Sequence, residues 1–129
     1  MTEDQLTGEA LNARVSAYVP YSNFAVGAAL SSVDGRVFKG CNVENISFGL
    51  TMCAERVALG RAISEGATDF HSIAIVSDST EPVVPCGACR QVLAEFAPRL
   101  RIISSTTSGR KAEFDLAILL PAPTQGILH

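Results

Sequence analysis

Three cysteines and one glutamate, lying in two separate segments, strongly limit how this chain can fold. Two cysteines occur in Pro85-Cys86-Gly87-Ala88-Cys89, and the third lies well upstream in Cys53-Ala54-Glu55. If the three sulfurs converge on one metal ion, the fold must bring these two segments side by side. Zinc bound by three protein ligands keeps a fourth position for water, as catalytic zinc sites do. Glu55 would then be the natural proton carrier for that water.

The hydrophobic pattern places both cysteine motifs at helix starts. The predicted elements are, in order, a helix over Asp4 to Tyr18, an antiparallel hairpin over Phe24 to Val43 turning at Asp34-Gly35, a helix over Ala54 to Glu65, a strand over Ser72 to Ser77, a helix over Ala88 to Ala97 and a strand over Leu100 to Ser105. The segment from Phe114 to Leu120 fits either a strand or a short helix capped by Asp115. This order predicts an α/β fold, with a mixed sheet covered by helices on both faces.

Length and composition narrow the class of protein. A chain of 129 residues predicts one domain, spanning residues 1–129. Its apolar fraction of 47% and mean hydropathy of +0.26 favour a homo-oligomer with buried faces. The net charge of −3, without a basic stripe, argues against a polynucleotide-binding surface. An acidic, polar N-terminus and the lack of a long apolar run predict a cytoplasmic protein, where cysteines serve metals or catalysis more often than disulfides.

Other uses of the cysteines remain open at this point. Cys41 could complete a closed four-cysteine site, although a lone cysteine in a strand is more often a small buried hydrophobe. The Cys-x-x-Cys pair also occurs in thiol redox proteins. A structural zinc site, however, would have no use for the acid at Glu55.

Two arginines follow the cysteine motifs directly. Three thiolates and Zn²⁺ sum to a formal charge of −1, and this excess should weaken the pull of the metal on its water. Arg56 and Arg90 are candidate cations to offset that charge. The alternative for each is an ordinary exposed helix residue.

In these motifs and their spacing, the chain resembles the small, one-domain cytidine deaminases. The matching segments, in order, are Tyr21–Ala29, Gly40–Asn45, Cys53–Arg56 and Pro85–Leu93. The zinc deaminases as a class use a His-x-Glu or three-cysteine signature, and Cys53-Ala54-Glu55 matches the three-cysteine variant. The resemblance implies a three-layer α/β/α fold with a mixed sheet of about five strands.

The resemblance also implies an activity and a site. The reaction would be zinc-dependent hydrolytic deamination of cytidine and deoxycytidine to uridine and deoxyuridine plus ammonia, in pyrimidine salvage. One Zn²⁺ per chain would be bound by Cys53, Cys86 and Cys89. Zinc-held hydroxide would attack C4 of the base, with Glu55 as proton shuttle to ring N3.

Substrate contacts follow from the same resemblance. Phe24 would pack against the base, Asn42 and Glu44 would hold the ribose hydroxyls, and the backbone of Ala54 would read the pyrimidine edge. Asn42 and Glu44 are two residues apart on a predicted strand, so they share one face. The alternatives are a core role for Phe24 and a solvated strand end for Glu44.

Family members of this type are usually homotetramers whose sites are completed by neighbouring subunits. Here the chain departs from the family, because no aromatic residue follows Leu119-Leu120-Pro121. Either another residue closes the pocket or the site is more open. Other hypotheses are deamination of a different cytosine-bearing compound, polynucleotide editing, and a non-enzymatic zinc module or redox protein.

Overall fold

The first helix begins at a capping box. In the computed structural model, which describes residues 1–125, helix α1 spans Glu3–Arg14. The Thr2 hydroxyl accepts the amide of Gln5 at 3.1 Å, and the Gln5 side chain accepts the amide of Thr2 at 2.8 Å. Two orphan amide groups at the helix start are thereby satisfied.

Helix α1 ends four residues before the predicted boundary at Tyr18. The Tyr18 amide donates to the carbonyl of Asn42 at 3.0 Å, and Tyr18 forms a parallel bridge with Val43. A residue committed to such a bridge cannot also continue an α-helix, so the periodic pattern of the sequence is overridden by a tertiary contact.

Within residues 1–125, five strands form one mixed sheet in the order β2-β1-β3-β4-β5. Their bounds are Val26–Ser32 for β1, Val37–Cys41 for β2, Phe70–Ser77 for β3, Arg101–Thr106 for β4 and Lys111–Asp115 for β5. Among these five strands, β3 and β4 pair in parallel and the other neighbours pair antiparallel. The β1–β2 hairpin turns at Gly35, whose φ of 92° suits a residue without a Cβ atom.

Helices cover both faces of this sheet, which confirms the predicted fold class. Helix α2 spans Ala54–Ser64, α3 spans Gly87–Ala94, and a short 3-10 helix spans Phe48–Leu50. Helix α3 crosses from β3 to the parallel strand β4. Helices α2 and α3 pack on one face with Leu30 and Ile75, whereas α1 packs on the other with Ala29 and Ala74. Within residues 1–125, no helix is long and apolar enough to span a membrane.

The ambiguous tail contains both of the elements that its sequence allowed. Strand β5 ends at Asp115, and the four-residue helix α4 follows over Leu116–Leu119. The Asp115 side chain accepts the amide of Ala117 at 2.9 Å and so caps this helix.

One glycine lets α2 approach the sheet closely. A Cβ atom at Gly40, in β2, would lie 2.5 Å from both the carbonyl oxygen of Ala54 and the amide nitrogen of Ala58. The absence of that atom allows the first turn of α2 to lie directly on the strand. Since Ala54 stands between Cys53 and Glu55, this contact determines where the candidate site lies.

Candidate active site

Two helix starts bring the three predicted cysteine ligands together. Cys53 is the N-cap residue of α2, Cys86 is the N-cap residue of α3, and Cys89 lies in the first turn of α3. Their sulfur atoms all lie within 4.8 Å of one another. The Cys53–Cys86 separation is 4.0 Å, and the Cys86–Cys89 separation is 3.5 Å.

These separations fit a zinc ion. Zn–S bonds of about 2.3 Å at tetrahedral angles place two sulfurs about 3.8 Å apart, and the two observed separations lie on either side of that value. Among residues 1–125, the group that could hold a metal contains these three cysteines and no fourth side chain. Cys41 is not part of it, so the alternative of a closed four-cysteine site finds no support here. Three ligands leave one tetrahedral position for water.

The thiols of this cluster are electrostatically prepared to bind a cation. The adjacent Cys89 thiol, together with the nearby Arg56 guanidinium, lowers the pKa of Cys53 to about 5. The same proximity to Cys53, with burial, raises the pKa of Cys89. A thiolate is therefore present at neutral pH, and the thiolate is the form that binds metals.

The two arginines differ in their contacts. Arg56 places Nη2 at 3.6 Å from Cys53 Sγ, and the same nitrogen donates to the carbonyl of Thr51 at 3.1 Å. Arg90 instead donates from Nε to the carbonyl of Pro85 at 2.8 Å and from Nη1 to that of Leu119 at 3.2 Å. Arg90 thus ties the loop before Cys86 to α4, and in the described part of the chain it makes no hydrogen bond to a ligand sulfur.

Glu55 is a buried carboxyl group beside the sulfur cluster. Its side chain is 6% exposed, in the first turn of α2. Burial raises its pKa to about 7, because water no longer solvates the charged form. A carboxyl group that titrates near neutrality can both accept and release a proton during a reaction.

A cavity of about 360 Å³ opens beside the cluster. Its size lies within the range of small-molecule sites. It is lined by Ser22, Phe24, Val26, Asn42, Glu44, Phe48, Thr51, Cys53, Ala54, Glu55, Val83, Val84 and Cys86. All four predicted substrate contacts therefore lie in the wall that also holds Glu55 and two of the sulfurs. Cys89 is fully buried behind this wall.

Asn42 and Glu44 face the cavity although β2 ends before them, at Cys41. Val43 pairs with Met52, so the alternation of an extended chain continues past the strand. Asn42 is 8% exposed and Glu44 is 5% exposed, whereas the intervening Val43 is 41% exposed. The predicted shared face is present, although the predicted end of the strand at Val43 is two residues too late.

Both polar side chains are held by backbone groups of residues 21–26. Asn42 accepts the amide of Val26 at 2.9 Å and donates to the carbonyl of Phe24 at 2.8 Å. Glu44 Oε1 accepts the amides of Tyr21 and Ser22, both at 3.1 Å. The adjacent Ser22 side chain and the hydrogen bonds from these amides hold the pKa of Glu44 below its usual value. The carboxyl group is therefore ionised and ordered at neutral pH.

Three polar residues at or behind the cavity wall were missed by sequence reasoning, namely Ser22 and Thr51, which line it, and Ser104. Ser22 lies within the matching segment Tyr21–Ala29, but nothing in that segment singled out its hydroxyl. Ser104 is fully buried in β4, and its hydroxyl donates to the carbonyl of Val83 in the cavity wall at 2.5 Å. A serine within an apolar strand gives no indication of which loop it will contact.

The C-terminal segment lies against α3. Besides the bond from Arg90 to Leu119, Gln91 Nε2 donates to the carbonyl of Pro123 at 3.1 Å. The missing aromatic residue noted in the sequence belongs to this segment, and residues 126–129 lie outside the described structure.

Comparisons with known proteins agree with this geometry. Residues 1–105 match the family described as the cytidine and deoxycytidylate deaminase zinc-binding region. The chain is 51% identical over 122 residues to the cytidine deaminase of Halalkalibacterium halodurans, covering 94% of this chain and 92% of that protein. It is 50% identical over 118 residues to the cytidine deaminase of Mycobacterium tuberculosis, covering 92% and 86% respectively.

A solved structure shares the whole architecture. The crystal structure of cytidine deaminase from Burkholderia pseudomallei superimposes with a TM-score of 0.91 at 48% sequence identity. The match covers 94% of this chain and 98% of that one. The mixed sheet and its two helix layers are therefore those of a characterised enzyme fold.

Proposed function

The chain belongs to the cytidine and deoxycytidylate deaminase family, and on that premise we propose that it converts cytidine and deoxycytidine to uridine and deoxyuridine with release of ammonia. One observation carries this proposal. A three-sulfur cluster with an open coordination position lies beside a buried carboxyl group, at the wall of a cavity of about 360 Å³.

We propose that Cys53, Cys86 and Cys89 hold the zinc ion. When bound, zinc acts as a Lewis acid that makes water nucleophilic near neutral pH. The positive N-terminal ends of α2 and α3 favour the thiolate form of their N-cap residues, Cys53 and Cys86. Arg56 lies near Cys53 and offsets part of the surplus negative charge, whereas the contacts of Arg90 support a positioning role for the Pro85–Cys86 loop.

We assign the proton transfers to Glu55. Its carboxylate takes a proton from the attacking water and delivers it to N3 of the cytosine ring. The remaining hydroxyl proton is then passed through Glu55 to the exocyclic nitrogen, which leaves as ammonia while the C4 oxygen becomes the carbonyl of uracil. A pKa near the working pH suits a group that performs both transfers.

The cavity wall supports the proposed substrate contacts. Phe24 lines the cavity, which supports our proposal that it packs against the base. Ala54, at the buried start of α2, lines the same cavity, which supports the proposed contact of its backbone with the pyrimidine edge. Glu44 keeps Oε2 for a sugar hydroxyl, since Oε1 already accepts two amides. Asn42 retains one N–H and one lone pair beyond its two backbone bonds.

Free nucleosides fit this cavity better than nucleotides. Within the described residues, the lining contains the acids Glu44 and Glu55 and no lysine or arginine. A 5′-phosphate usually requires a cationic or amide-rich cradle. The family description also names deoxycytidylate. Because this nucleotide carries a 5′-phosphate and the described lining has no cation to bind it, we rank deoxycytidylate below the free nucleosides as a substrate. Nucleosides with other sugars remain an alternative that a substrate panel decides.

We also propose that the chain is a single-domain homotetramer that serves pyrimidine salvage in the cytoplasm. Support for self-association comes from the segment between Asn45 and Met52, where Ile46, Phe48 and Leu50 are each at least 68% exposed. Such a cluster of large apolar side chains is typical of a surface that another subunit covers. Sedimentation equilibrium would measure the mass, and a monomer would contradict this proposal.

Ultraviolet absorbance with cytidine, and metal analysis of the same sample, test the proposed reaction. Loss of the cytidine band with about one zinc per chain is the expected result. Glu55→Gln should keep the zinc and lose nearly all turnover, because the amide cannot shuttle protons. Zinc without turnover of either nucleoside would show that the substrate assignment is wrong.

A further inference from the structure

Phe24 stands just before the sheet, and side chains hold its backbone. Strand β1 begins at Val26, and its pairing with β3 begins at the same residue. The Phe24 amide donates to the hydroxyl oxygen of Ser22 at 3.0 Å, and the Phe24 carbonyl accepts Nδ2 of Asn42 at 2.8 Å. The preceding residue, Asn23, has a φ of 59°, so the chain turns directly before Phe24. The position of Phe24 therefore depends on side-chain contacts, because the strand pairs of β1 start after it.

Asn42 binds the segment that enters β1 at two points. Its Oδ1 accepts the amide of Val26 at 2.9 Å, while its Nδ2 donates to the carbonyl of Phe24. The Asn42 amide also donates to the carbonyl of Val26 at 3.2 Å. The last strand pair at this end of the hairpin joins Gly27 to Cys41, so Asn42 extends the contact between the two strands by one residue. An acceptor and a donor on one side chain are both needed for this arrangement, and a carboxamide supplies both.

We propose that Asn42 is a positioning residue for Phe24, so that it supports binding of the base as well as of the sugar. This inference rests on the proposed function and adds a second role for Asn42 to it. Both residues line the cavity. The bond from Nδ2 fixes the peptide group next to the Cα atom that carries the aromatic ring. Without that bond, the ring should be free to shift relative to the cavity wall, and the base should bind less tightly.

A contact of Asn42 with the sugar alone predicts a different pattern of affinities. In that case, replacing Asn42 should weaken the binding of cytidine and leave the binding of 2′,3′-dideoxycytidine unchanged, because the second ligand lacks the 2′ and 3′ hydroxyl groups. If Asn42 positions Phe24, the loss should persist with the dideoxynucleoside, since the two ligands share the cytosine ring.

Titration calorimetry with the two nucleosides distinguishes these patterns. Zinc-loaded Glu55→Gln protein gives Kd without turnover, and adding Asn42→Ala should weaken the Kd for 2′,3′-dideoxycytidine about tenfold. Asn12→Ala, at an exposed asparagine in α1, is the matched control and should leave Kd unchanged. Weaker binding of cytidine with unchanged binding of the dideoxynucleoside would overturn the proposal.

Asn42→Asp separates the two side-chain bonds. A carboxylate still accepts the Val26 amide, but it cannot donate to the Phe24 carbonyl. Hydrogen exchange of the Val26 amide, measured by NMR, should stay slow in Asn42→Asp and become fast in Asn42→Ala. The Kd for the dideoxynucleoside should weaken about tenfold in both variants. Because Asn42→Ala adds no charge, agreement between the variants excludes an effect of the new carboxylate, and a parental Kd in Asn42→Asp would overturn the proposal.

A double-mutant cycle tests whether Asn42 acts through Phe24. In a Phe24→Ala background, Asn42→Ala should weaken the Kd for 2′,3′-dideoxycytidine by less than about twofold further, because the ring to be positioned is gone. Additive losses would argue that the two side chains act independently, contrary to the proposal.

The same titrations separate this inference from the proposed reaction. If the parent protein binds both nucleosides without deaminating cytidine, the proposed reaction is wrong while the comparisons still decide the role of Asn42. Binding of cytidine without binding of the dideoxynucleoside would show that sugar contacts dominate recognition, and it would overturn this inference alone. A parent protein that binds neither nucleoside would overturn both.

Discussion

Gly40→Ala tests the link between strand packing and the active site. The added Cβ atom would lie 2.5 Å from the carbonyl oxygen of Ala54 and from the amide nitrogen of Ala58. Ordinary van der Waals contact begins at 3.4 Å, so the difference of 3.4 − 2.5 = 0.9 Å must be accommodated by movement of backbone. Both contacted atoms belong to the backbone of α2, and no flexible side chain can yield instead.

The displacement should affect stability and catalysis together. Overpacking of this kind costs about 1–3 kcal/mol. For 129 residues, an unfolding entropy of about 2.1 cal/mol/K per residue converts this cost to a loss of about 4–11 °C in Tm. Because Cys53 and Glu55 flank Ala54, a shift of nearly 1 Å at the start of α2 should lower kcat/KM about 100-fold.

Differential scanning calorimetry and cytidine turnover measure the two effects. Gly60→Ala is the matched control, since Gly60 lies exposed in the same helix and a Cβ atom there would meet nothing within 4 Å. It should stabilise the protein by about 0.5–1 kcal/mol and leave turnover unchanged. A Gly40→Ala protein with parental Tm and kcat/KM would refute the packing argument. A reduced Tm with full turnover would refute the coupling of Gly40 to the site.

Three further results are expected. Ser104→Ala should lower the free energy of unfolding by about 1–3 kcal/mol in a denaturant titration, since the Val83 carbonyl loses its buried donor, and equal stability would contradict this role. Removing zinc with a chelator should lower Tm, and adding zinc should restore it; Cys41→Ser, outside the sulfur cluster, should keep its metal content. Hydrogen bonds from Ser32 and Arg36 lower the pKa of Asp34 from 3.8 to about 2. The stabilisation of the folded protein by these bonds is therefore complete above pH 3.8, and it is lost as the pH falls through about 2. The difference in Tm between the parent and Asp34→Asn should shrink over that window, and a difference independent of pH would argue against an ionic contribution.

Local patterns in the sequence predicted the elements well but several of their ends poorly. The helix and strand periodicities of α1, α2 and β3 are visible in a few consecutive residues, so packing had little to add. The predicted extension of α1 to Tyr18 was wrong because Tyr18 pairs with Asn42 and Val43, more than twenty residues away in the chain. No window of neighbouring residues contains that information.

In the candidate site too, features of neighbouring residues were predictable, whereas contacts between distant residues were not. The spacing of Cys86 and Cys89, and the adjacency of Cys53 and Glu55, are covalent facts, and they were enough to predict a zinc centre with a proton carrier. The contacts of Arg90 with Pro85 and Leu119 were not predictable, because they depend on how α4 packs against α3. The roles assigned to the individual site residues stay predictions until the variants are measured.

The sequence by itself determined the chemistry, since ligand type, ligand spacing and helix starts are properties of short segments. The tertiary structure alone decided the sheet order, the closeness of α2 to Gly40 and the bonds that fix Asn42 and Glu44. These features join residues that are distant in the chain. They form only when the burial of apolar faces on both sides of the sheet outweighs the entropy lost in ordering the chain, and that balance belongs to the whole fold.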